Sequence, residues 1–226
     1  MTLIPRDFFA RPSVPVAPDL LGCVIEHQTA AGLVAVELTE VEAYAGASDP
    51  ASHAYRGKTA RNAVMFGPPG HAYVYFTYGM HFCVNLVCLG NGSASAVLLR
   101  AGRVIEGEEL ARARRTKGAV TVPFRDLARG PARLCQALDI DRSRDGADVC
   151  VADSPLRMRW PGARTTARSA ERNVASGPRV GVSSAAEVPW RFWIEGEPTV
   201  SAYRRGVRGG GSPAVRRGIP QGGPGG

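Results

Sequence analysis

The sequence predicts a single α+β domain with a curved, antiparallel-rich β-sheet, a protruding β-hairpin and surrounding short helices. Asn91-Gly92 between two apolar runs is a strong hairpin signal. Tyr78-Gly79-Met80 is a second turn signal, so residues 72–89 are expected to form another hairpin. Helix candidates are few, which favours a sheet as the main element.

The strands are predicted from short runs in which apolar residues recur, often at every second position. The predicted strands are 23–28, 33–43, 72–78, 81–89, 95–101, 179–183 and 191–195.

Helices are predicted at 104–115 and 131–138, with a shorter one near 6–10 and a short turn at 18–21. The first has acids early and arginines late, which suits the helix macrodipole. The second begins with Pro131, a residue favoured at the first helical position. Segment 141–178 reads as irregular, since it is rich in Arg, Asp, Ser and Gly.

Length and composition indicate one domain with a C-terminal extension. The chain has 226 residues, of which 44% are apolar, enough for a sizeable core. Residues 206–226 hold nine of the 27 glycines, with three prolines and three arginines. Such a composition buries too little to fold. We therefore assign residues 1–205 to the domain and 206–226 to a disordered tail.

The chain is basic, with a net charge of +8 and a pI of about 9.7. Only Lys58 and Lys117 are lysines, so arginine carries most of the positive charge. Arginine suits bidentate contacts to phosphate, which favours a polyanionic partner. The same composition is also typical of a GC-rich genome, and both interpretations stay open on composition alone.

The cysteines and histidines argue against a secreted or metal-dependent protein. Five cysteines form no C-x-x-C pair, and the four histidines give no zinc-ligand spacing. We expect buried thiols in a reducing compartment. No stretch resembles a signal peptide or a membrane span, so the expected location is the cytoplasm.

The most informative segment is 39–44, Thr-Glu-Val-Glu-Ala-Tyr, followed nine residues later by His53. Strict alternation would put Glu40, Glu42 and Tyr44 on the face that carries Val34, Val36 and Leu38. Carboxylates on an apolar face are costly to desolvate unless something uses them. An acid, a tyrosine and a histidine together suggest a pocket for a flat ligand.

Other candidate residues follow along the chain, and each also has a purely structural interpretation. Tyrosines surround the 72–89 hairpin tip, and a tyrosine in a strand is commonly core. Asn85 and Arg100 lie on the next strands, where they could satisfy a backbone group or a salt bridge. Arg56, Lys58 and Arg61 form a basic run that could be a solvated surface.

At these residues the chain resembles the alkyladenine (3-methyladenine) DNA glycosylase family of the mammalian type. The resemblance runs in order from about residue 4 to residue 202. The matching elements are Leu20-Leu21-Gly22, Thr39 to Tyr44, His53, Arg56 to Asn62, Met65-Phe66, Tyr73-Val74-Tyr75, Tyr78-Gly79-Met80, Asn85, Leu98-Leu99-Arg100, Gly130 to Leu138 and Arg179 to Val182.

The resemblance implies hydrolysis of the N-glycosidic bond of alkylated or deaminated purines in duplex DNA, without a metal or organic cofactor. It implies catalytic roles for Glu42 and Arg100. The acid would stabilise an oxocarbenium-like sugar and deprotonate the attacking water. The arginine would lie near the phosphate of the flipped nucleotide.

The resemblance also assigns the residues that would hold DNA. The base-binding pocket would use Tyr44, His53, Tyr75 and Asn85, because a flipped base is read by stacking and by its edges. Tyr78 and Met80 would intercalate at the hairpin tip. Arg56, Lys58 and Arg61 would contact the DNA backbone.

Several further expectations complete this interpretation. Since no lysine lies in the catalytic clusters, we expect a monofunctional glycosylase without lyase activity. The expected partner is double-stranded DNA with damaged purines, and the expected state is a monomer in the bacterial cytosol or nucleoid, with no membrane association. The chain departs from the family at His81, where a more apolar residue is expected, and it matches only loosely over 141–178.

Two alternatives are weighed against an excision enzyme. A non-catalytic binder of damaged or distorted nucleic acid could use the same pocket, but a carboxylate facing DNA would repel phosphate. An enzyme that handles formyl groups or carbohydrates could share an acid-aromatic pocket, but it would not need the basic loop or the tyrosine at the hairpin tip. Steep salt dependence of DNA binding is expected for the excision enzyme and for the non-catalytic binder, but not for the enzyme that handles formyl groups or carbohydrates.

Overall fold

The computed structural model describes residues 1–77, 79–90, 92–116, 118, 121–162 and 173–206. These residues form one domain around a curled antiparallel sheet, which confirms the predicted α+β class. The strands are β1 (Val24–Thr29), β2 (Gly32–Tyr44), β3 (Ala72–Thr77), β4 (His81–Cys88), β5 (Ser95–Glu106), β6 (Leu156–Arg159), β7 (Val174–Gly177) and β8 (Arg191–Ile194).

The order of the main sheet is β3-β4-β5-β2-β1-β6, and every pair is antiparallel. The long strand β2 pairs with β5 along one edge. Its other edge is shared, with β1 along residues 32–37 and β8 along residues 40–42. Strand β8 also pairs with β7. Both predicted hairpins are present as paired strands, β3 with β4 and β4 with β5.

The helices are short. They are α1 (Arg6–Phe9), α2 (Ser13–Asp19), α3 (Glu108–Arg115) and α4 (Pro131–Leu138). A main core packs apolar strand residues against residues of α1, α2 and α4, such as Phe9, Val16 and Leu134. A smaller cluster around Met65 and Tyr73 supports the part of the sheet that carries the candidate site.

The structure corrects several predicted boundaries. Residues 179–183 are a loop rather than a strand, while β6 and β7 lie inside the segment predicted to be irregular. Strand β5 continues to Glu106, and helix α3 begins only after Gly107, whose φ of 72° ends the strand direction. The short turn predicted at 18–21 is confirmed, since α2 ends at Asp19 and residues 20–22 form a turn. Helix α4 has the predicted bounds.

The prediction that Glu40, Glu42 and Tyr44 share a face with the apolar residues of β2 is wrong. The β2–β5 register shifts between Leu38 and Glu40, and again between Glu40 and Val41. Core side chains therefore fall at 34, 36 and 38 and then at 41 and 43. This irregularity turns the acid-bearing positions away from the main core. Bulges of this kind bend a strand and re-aim its side chains, often beside functional sites.

Close backbone approach at this irregularity requires glycine on the partner strand. A Cβ on Gly102 of β5 would lie 2.5 Å from the carbonyl oxygen of Glu37 and 2.3 Å from Cγ1 of Val36. Since real Cβ atoms do not come this close to backbone, any other residue there would force the strands apart.

Three further expectations concern the cysteines, the membrane and the tail. All five cysteines are free thiols, and Cys150 alone among them is partly exposed. No helix in the described ranges is long and apolar enough to cross a membrane. The tail prediction concerns residues 206–226, of which 207–226 lie outside the described residues, so the boundary at 205 stays a prediction.

Candidate active site

The sheet and the loops around its concave edge form a cavity of about 500 Å³. This volume lies in the range typical of small-ligand sites. Loop residues 180–184 and the first residues of α4 border it. Its strand and loop side chains include Tyr44, His53, Met65, Tyr73, Tyr75, His81, Cys83, Asn85, Leu98 and Arg100. Five of the predicted site residues are therefore brought together around one cavity.

Glu42 lies directly behind the cavity wall, with its side chain fully buried. The hydroxyl of Tyr44 donates to its Oε2 at 2.9 Å, and the backbone N–H of Val180 donates to its Oε1 at 2.7 Å. The Nη1 atom of Arg100 forms an ion pair with Oε2 at 3.3 Å. All three contacts come from residues that line the cavity, so the carboxylate is held by the residues of the cavity wall.

These contacts leave the Glu42 carboxylate room for one more proton donor. A carboxylate offers about four acceptor positions on its two oxygens. Three are taken by Tyr44, Val180 and Arg100. The remaining position can accept a hydrogen bond from a water molecule or a ligand hydroxyl. Burial and the neighbouring Glu42 carboxylate raise the pKa of Tyr44 well above its ordinary value, so its hydroxyl stays a donor.

Arg100 bridges the two acidic residues of β2. Its Nε atom donates to Glu40 at 3.0 Å, while Nη1 faces Glu42. Although burial disfavours its charge, the Glu42 and Glu40 carboxylates raise its pKa above the ordinary value. The guanidinium is therefore a fixed positive charge in the wall of the cavity. Arg100 thus forms the salt bridge that its structural interpretation predicts, and it also lines the cavity.

Aromatic rings form one wall of the cavity. Tyr73 and Tyr75 project from the same face of β3 and stack at 5.5 Å between centroids. His53 packs edge-on against Tyr75 at 4.5 Å, and its Nδ1 lies 3.1 Å from the hydroxyl of Tyr73. Desolvation, followed by the charge of Arg61, lowers the pKa of His53 from its ordinary value. The shift favours the neutral ring, which offers one donor and one acceptor.

Asn85 combines both interpretations that the sequence left open. Its Nδ2 donates to the carbonyl of Tyr73 at 3.3 Å, which satisfies a neighbouring backbone group. It also lines the cavity with only 5% of its surface exposed. The backbone hydrogen bond therefore holds the amide of a residue that lines the cavity in one orientation.

The loop after residue 178 is anchored by a buried ion pair. Arg179 is fully buried and donates to both carboxylate oxygens of Asp49, at 2.6 and 2.8 Å. It also donates to the carbonyl of Ala43 at 3.0 Å and lies over the ring of Tyr44. This clamp presents the N–H of Val180 to Glu42. Arg179 belongs to the elements that resemble the family, but the resemblance assigned it no role.

The tip of the β3–β4 hairpin is exposed. Met80 is 69% exposed, and Gly79 has a φ of 67° that favours glycine. Met80 therefore stands in solvent, as an intercalating residue requires. The second predicted wedge, Tyr78, lies outside the described residues.

Arg56, Lys58 and Arg61 form an exposed basic loop beside the cavity. Among the described residues, none of the three forms an ion pair with a carboxylate. Arg61 donates to the carbonyl of Phe76 at 3.4 Å and lies 6.0 Å from the ring centroid of Tyr75. The loop thus places unpaired positive charge next to the aromatic wall.

Sequence reasoning missed several residues of the site. Tyr73 could have been found, because it is two positions from Tyr75 and therefore on the same face of a strand. Cys83, Leu98 and Met65 carry no sequence signal that separates them from core residues. In the described ranges, no group of three or more His, Cys, Asp or Glu side chains has an arrangement that could hold a metal ion.

Comparison with known proteins decides the family. The family model for methylpurine-DNA glycosylase matches residues 7–198. The chain belongs to this family. The predicted family is therefore confirmed, together with the enzyme class it carries, hydrolases that act on N-glycosyl bonds.

Curated relatives of this methylpurine-DNA glycosylase span nearly its whole length. A protein of Streptomyces avermitilis named "Putative 3-methyladenine DNA glycosylase" is 56% identical over 205 residues, which are 90% of this chain and 92% of that protein. Proteins with the same name from Leifsonia xyli and Methanocella arvoryzae are 51% and 45% identical, and the matches cover 88–89% of this chain and 92–96% of theirs.

Proposed function

We propose that this glycosylase removes 3-methyladenine-type lesions from duplex DNA by flipping the damaged base into the cavity and hydrolysing its N-glycosidic bond. The observation that carries the proposal is a fully buried carboxylate, Glu42, hydrogen-bonded to cavity-lining residues at the edge of an aromatic pocket. Base excision requires a carboxylate that activates water and an aromatic pocket that holds the flipped base, and this site combines the two.

Glu42 is proposed as the general base and as the charge that stabilises the sugar. The N-glycosidic bond breaks, its electron pair leaves with the base, and the oxygen of water bonds to C1′. The water gives a proton to Glu42, through the acceptor position that the two hydrogen bonds and the Arg100 ion pair leave. Developing positive charge at C1′ is stabilised by a carboxylate held in a dry, preorganised site.

The aromatic wall is proposed to select cationic purines. Tyr75, Tyr44 and His53 offer π surfaces around the cavity, and stacking contributes roughly 1–3 kcal/mol per base. A methylated purine that carries positive charge gains cation–π attraction to these rings. Asn85 is proposed to read the purine edge, since its orientation is fixed by the Tyr73 carbonyl.

Binding of duplex DNA is assigned to the hairpin tip and the basic loop. Tyr78 and Met80 would fill the gap that the flipped nucleotide leaves, which lowers the cost of an unstacked duplex. Arg56, Lys58 and Arg61 would contact phosphates. We further propose that the protein acts as a monomer in the cytoplasm. We also propose that it leaves an intact abasic site, because the described residues that line the cavity include no lysine to form a Schiff base.

The direct test is an excision assay on duplex oligonucleotides that each carry one lesion, such as hypoxanthine, ethenoadenine or 7-methylguanine. We expect release of free base and an abasic site that is cleaved only after alkali. Tight binding of lesion DNA without base release would instead favour the non-catalytic binder. Strand cleavage without alkali would contradict the absence of lyase activity.

Salt dependence of DNA binding tests the basic loop. Each neutralised phosphate contributes about −0.9 to the slope of log K against log salt concentration. Replacing Arg56, Lys58 or Arg61 by Ala should therefore flatten the slope by about 0.9 and weaken binding to any sequence. Arg11→Ala is the matched control, because Arg11 is already paired with Asp19 at 2.9 Å. Equal slopes for all four variants would remove the loop from the interface.

Truncation after Gly206 tests the role of the C-terminal residues. The carbonyl of Arg204 accepts a hydrogen bond from the N–H of Gly181 at 3.0 Å, so the chain up to this point supports the cavity loop. Residues 207–226 should be dispensable for excision from short duplexes. The measurement is the single-turnover rate with and without these residues, and a tenfold loss would show that the tail does more than tether the enzyme.

A further inference from the structure

Glu40 lies two residues before the proposed general base on the same strand, and its side chain is also fully buried. Family resemblance gives it no catalytic role. Its Oε1 accepts from Nε of Arg100 at 3.0 Å, from Nε of Arg191 at 2.7 Å and from the hydroxyl of Ser201 at 2.9 Å. Its Oε2 accepts from the N–H of Ser201 at 2.8 Å. Four hydrogen bonds from the protein therefore satisfy the Glu40 carboxylate without a ligand.

The contacts of Glu40 fix one edge of the Arg100 guanidinium. The Nε atom is held by Glu40, and Nη2 lies 3.4 Å from the hydroxyl of Ser201, which is itself bonded to Glu40. Because a guanidinium is planar and rigid, fixing this edge sets the position of Nη1. That atom is the one that faces Glu42, at 3.3 Å.

Arg191 completes the arrangement from the neighbouring strand. Strand β8 pairs with β2 so that Arg191 lies opposite Glu42, yet its guanidinium reaches Glu40 rather than Glu42. Packing over the ring of Trp193 at 4.7 Å and a hydrogen bond to the carbonyl of Ser201 at 2.7 Å hold it there. Without the Glu40 charge, both buried guanidinium groups would lose a carboxylate partner, and Arg100 would keep its ion pair with Glu42.

We propose that Glu40, with Arg191 and Ser201, is a positioning residue for base excision. It holds Arg100 in one orientation and also pairs with the Arg191 guanidinium, so that Glu42 keeps an acceptor position for water. This inference rests on the proposed function, because it assigns Glu40 an effect only through Arg100 and Glu42.

A double-mutant cycle tests the inference. Release of methylated purines from methylated duplex DNA is measured with enzyme in excess, for the wild type, Glu40→Gln, Arg100→Lys and the double variant. Misplacing a catalytic group by about 1 Å costs on the order of 10²-fold in rate. We expect such a loss in Glu40→Gln, with unchanged affinity for abasic-site DNA, and no further loss when Glu40→Gln is added to Arg100→Lys.

Glu26→Gln is the matched control. Glu26 is a buried carboxylate of β1 that pairs with two arginines, Arg157 and Arg159, both at 2.7 Å, but it does not line the cavity. The Glu26→Gln variant should lose thermal stability, as Glu40→Gln does, but it should keep the wild-type excision rate. A purely structural role for Glu40 predicts the same behaviour in both variants.

The outcomes separate this inference from the proposed function. No release of methylated purine by the wild type would overturn the proposed function. An active wild type with a fully active Glu40→Gln, or with losses that multiply in the double variant, would overturn the positioning role alone. Should Glu40→Gln fail to fold, Ser201→Ala takes its place in the cycle. Loss of that hydroxyl should also slow release, and it should have no added effect on Arg100→Lys.

Discussion

Replacing Glu42 by glutamine should abolish most base release while leaving DNA binding intact. The substitution keeps the shape of the side chain and its hydrogen bond from Val180 or Tyr44, but it removes the charge and the base. General-base catalysis is worth about 10²–10⁴-fold, so the single-turnover rate should fall by that factor. The dissociation constant for lesion-containing duplex should change little, because Glu42 lies behind the cavity wall.

Glu37→Gln provides the control on the same strand. Glu37 is buried and forms an ion pair with Arg103, but it does not line the cavity. Its loss should lower stability and spare the excision rate. Full activity of Glu42→Gln would remove the general-base role, and an equal loss in Glu37→Gln would indicate that both variants act through folding.

Arg179→Met should have the largest effect on stability. The substitution leaves the Asp49 carboxylate buried without its partner, and breaking a buried ion pair in this way costs about 3–5 kcal/mol. The loop that carries Val180 loses its anchor at the same time, so Glu42 loses one of its two hydrogen bonds. Chemical denaturation should report the loss of stability, and excision by the folded fraction should also be slower.

The matched comparison uses an exposed ion pair near the same loop. Arg205 and Glu187 are 77% and 89% exposed, at 3.8 Å. Exposed pairs of this kind contribute little, so Arg205→Met should leave the denaturation midpoint unchanged. The double variant Asp49→Asn/Arg179→Met should lose less stability than Arg179→Met alone, since it leaves no buried charge. An equal loss of stability in Arg179→Met and in the double variant would contradict the explanation that an unpaired buried Asp49 carboxylate causes the loss.

Much of this fold could be predicted because local signals and tertiary structure agree. The turn at Gly79 and the alternation in β3 and β4 specify a hairpin without help from distant residues. Pro131 likewise marks the start of α4. Five of the residues that the family resemblance singled out, Tyr44, His53, Tyr75, Asn85 and Arg100, line one cavity, while their roles stay predictions.

The predictions that were wrong concern features of the fold that depend on long-range contacts. The face of Glu42 is set by a register shift against β5, and nothing in the local alternation of β2 announces it. Segment 179–183 has the apolar pattern of a strand, but the Asp49–Arg179 ion pair holds it as a loop over Glu42. The network around Glu40 joins residues 40, 100, 191 and 201, which are separated in sequence by up to 161 positions.

A crystal structure of Glu42→Gln bound to duplex DNA with one damaged purine tests the central claim most directly. The account predicts that the damaged base lies outside the helix, within the cavity among Tyr44, His53 and Tyr75, with C1′ of its sugar turned towards residue 42 and Arg100. A damaged base that stays stacked in the duplex, or that binds on another surface while the cavity stays free of DNA, would contradict it.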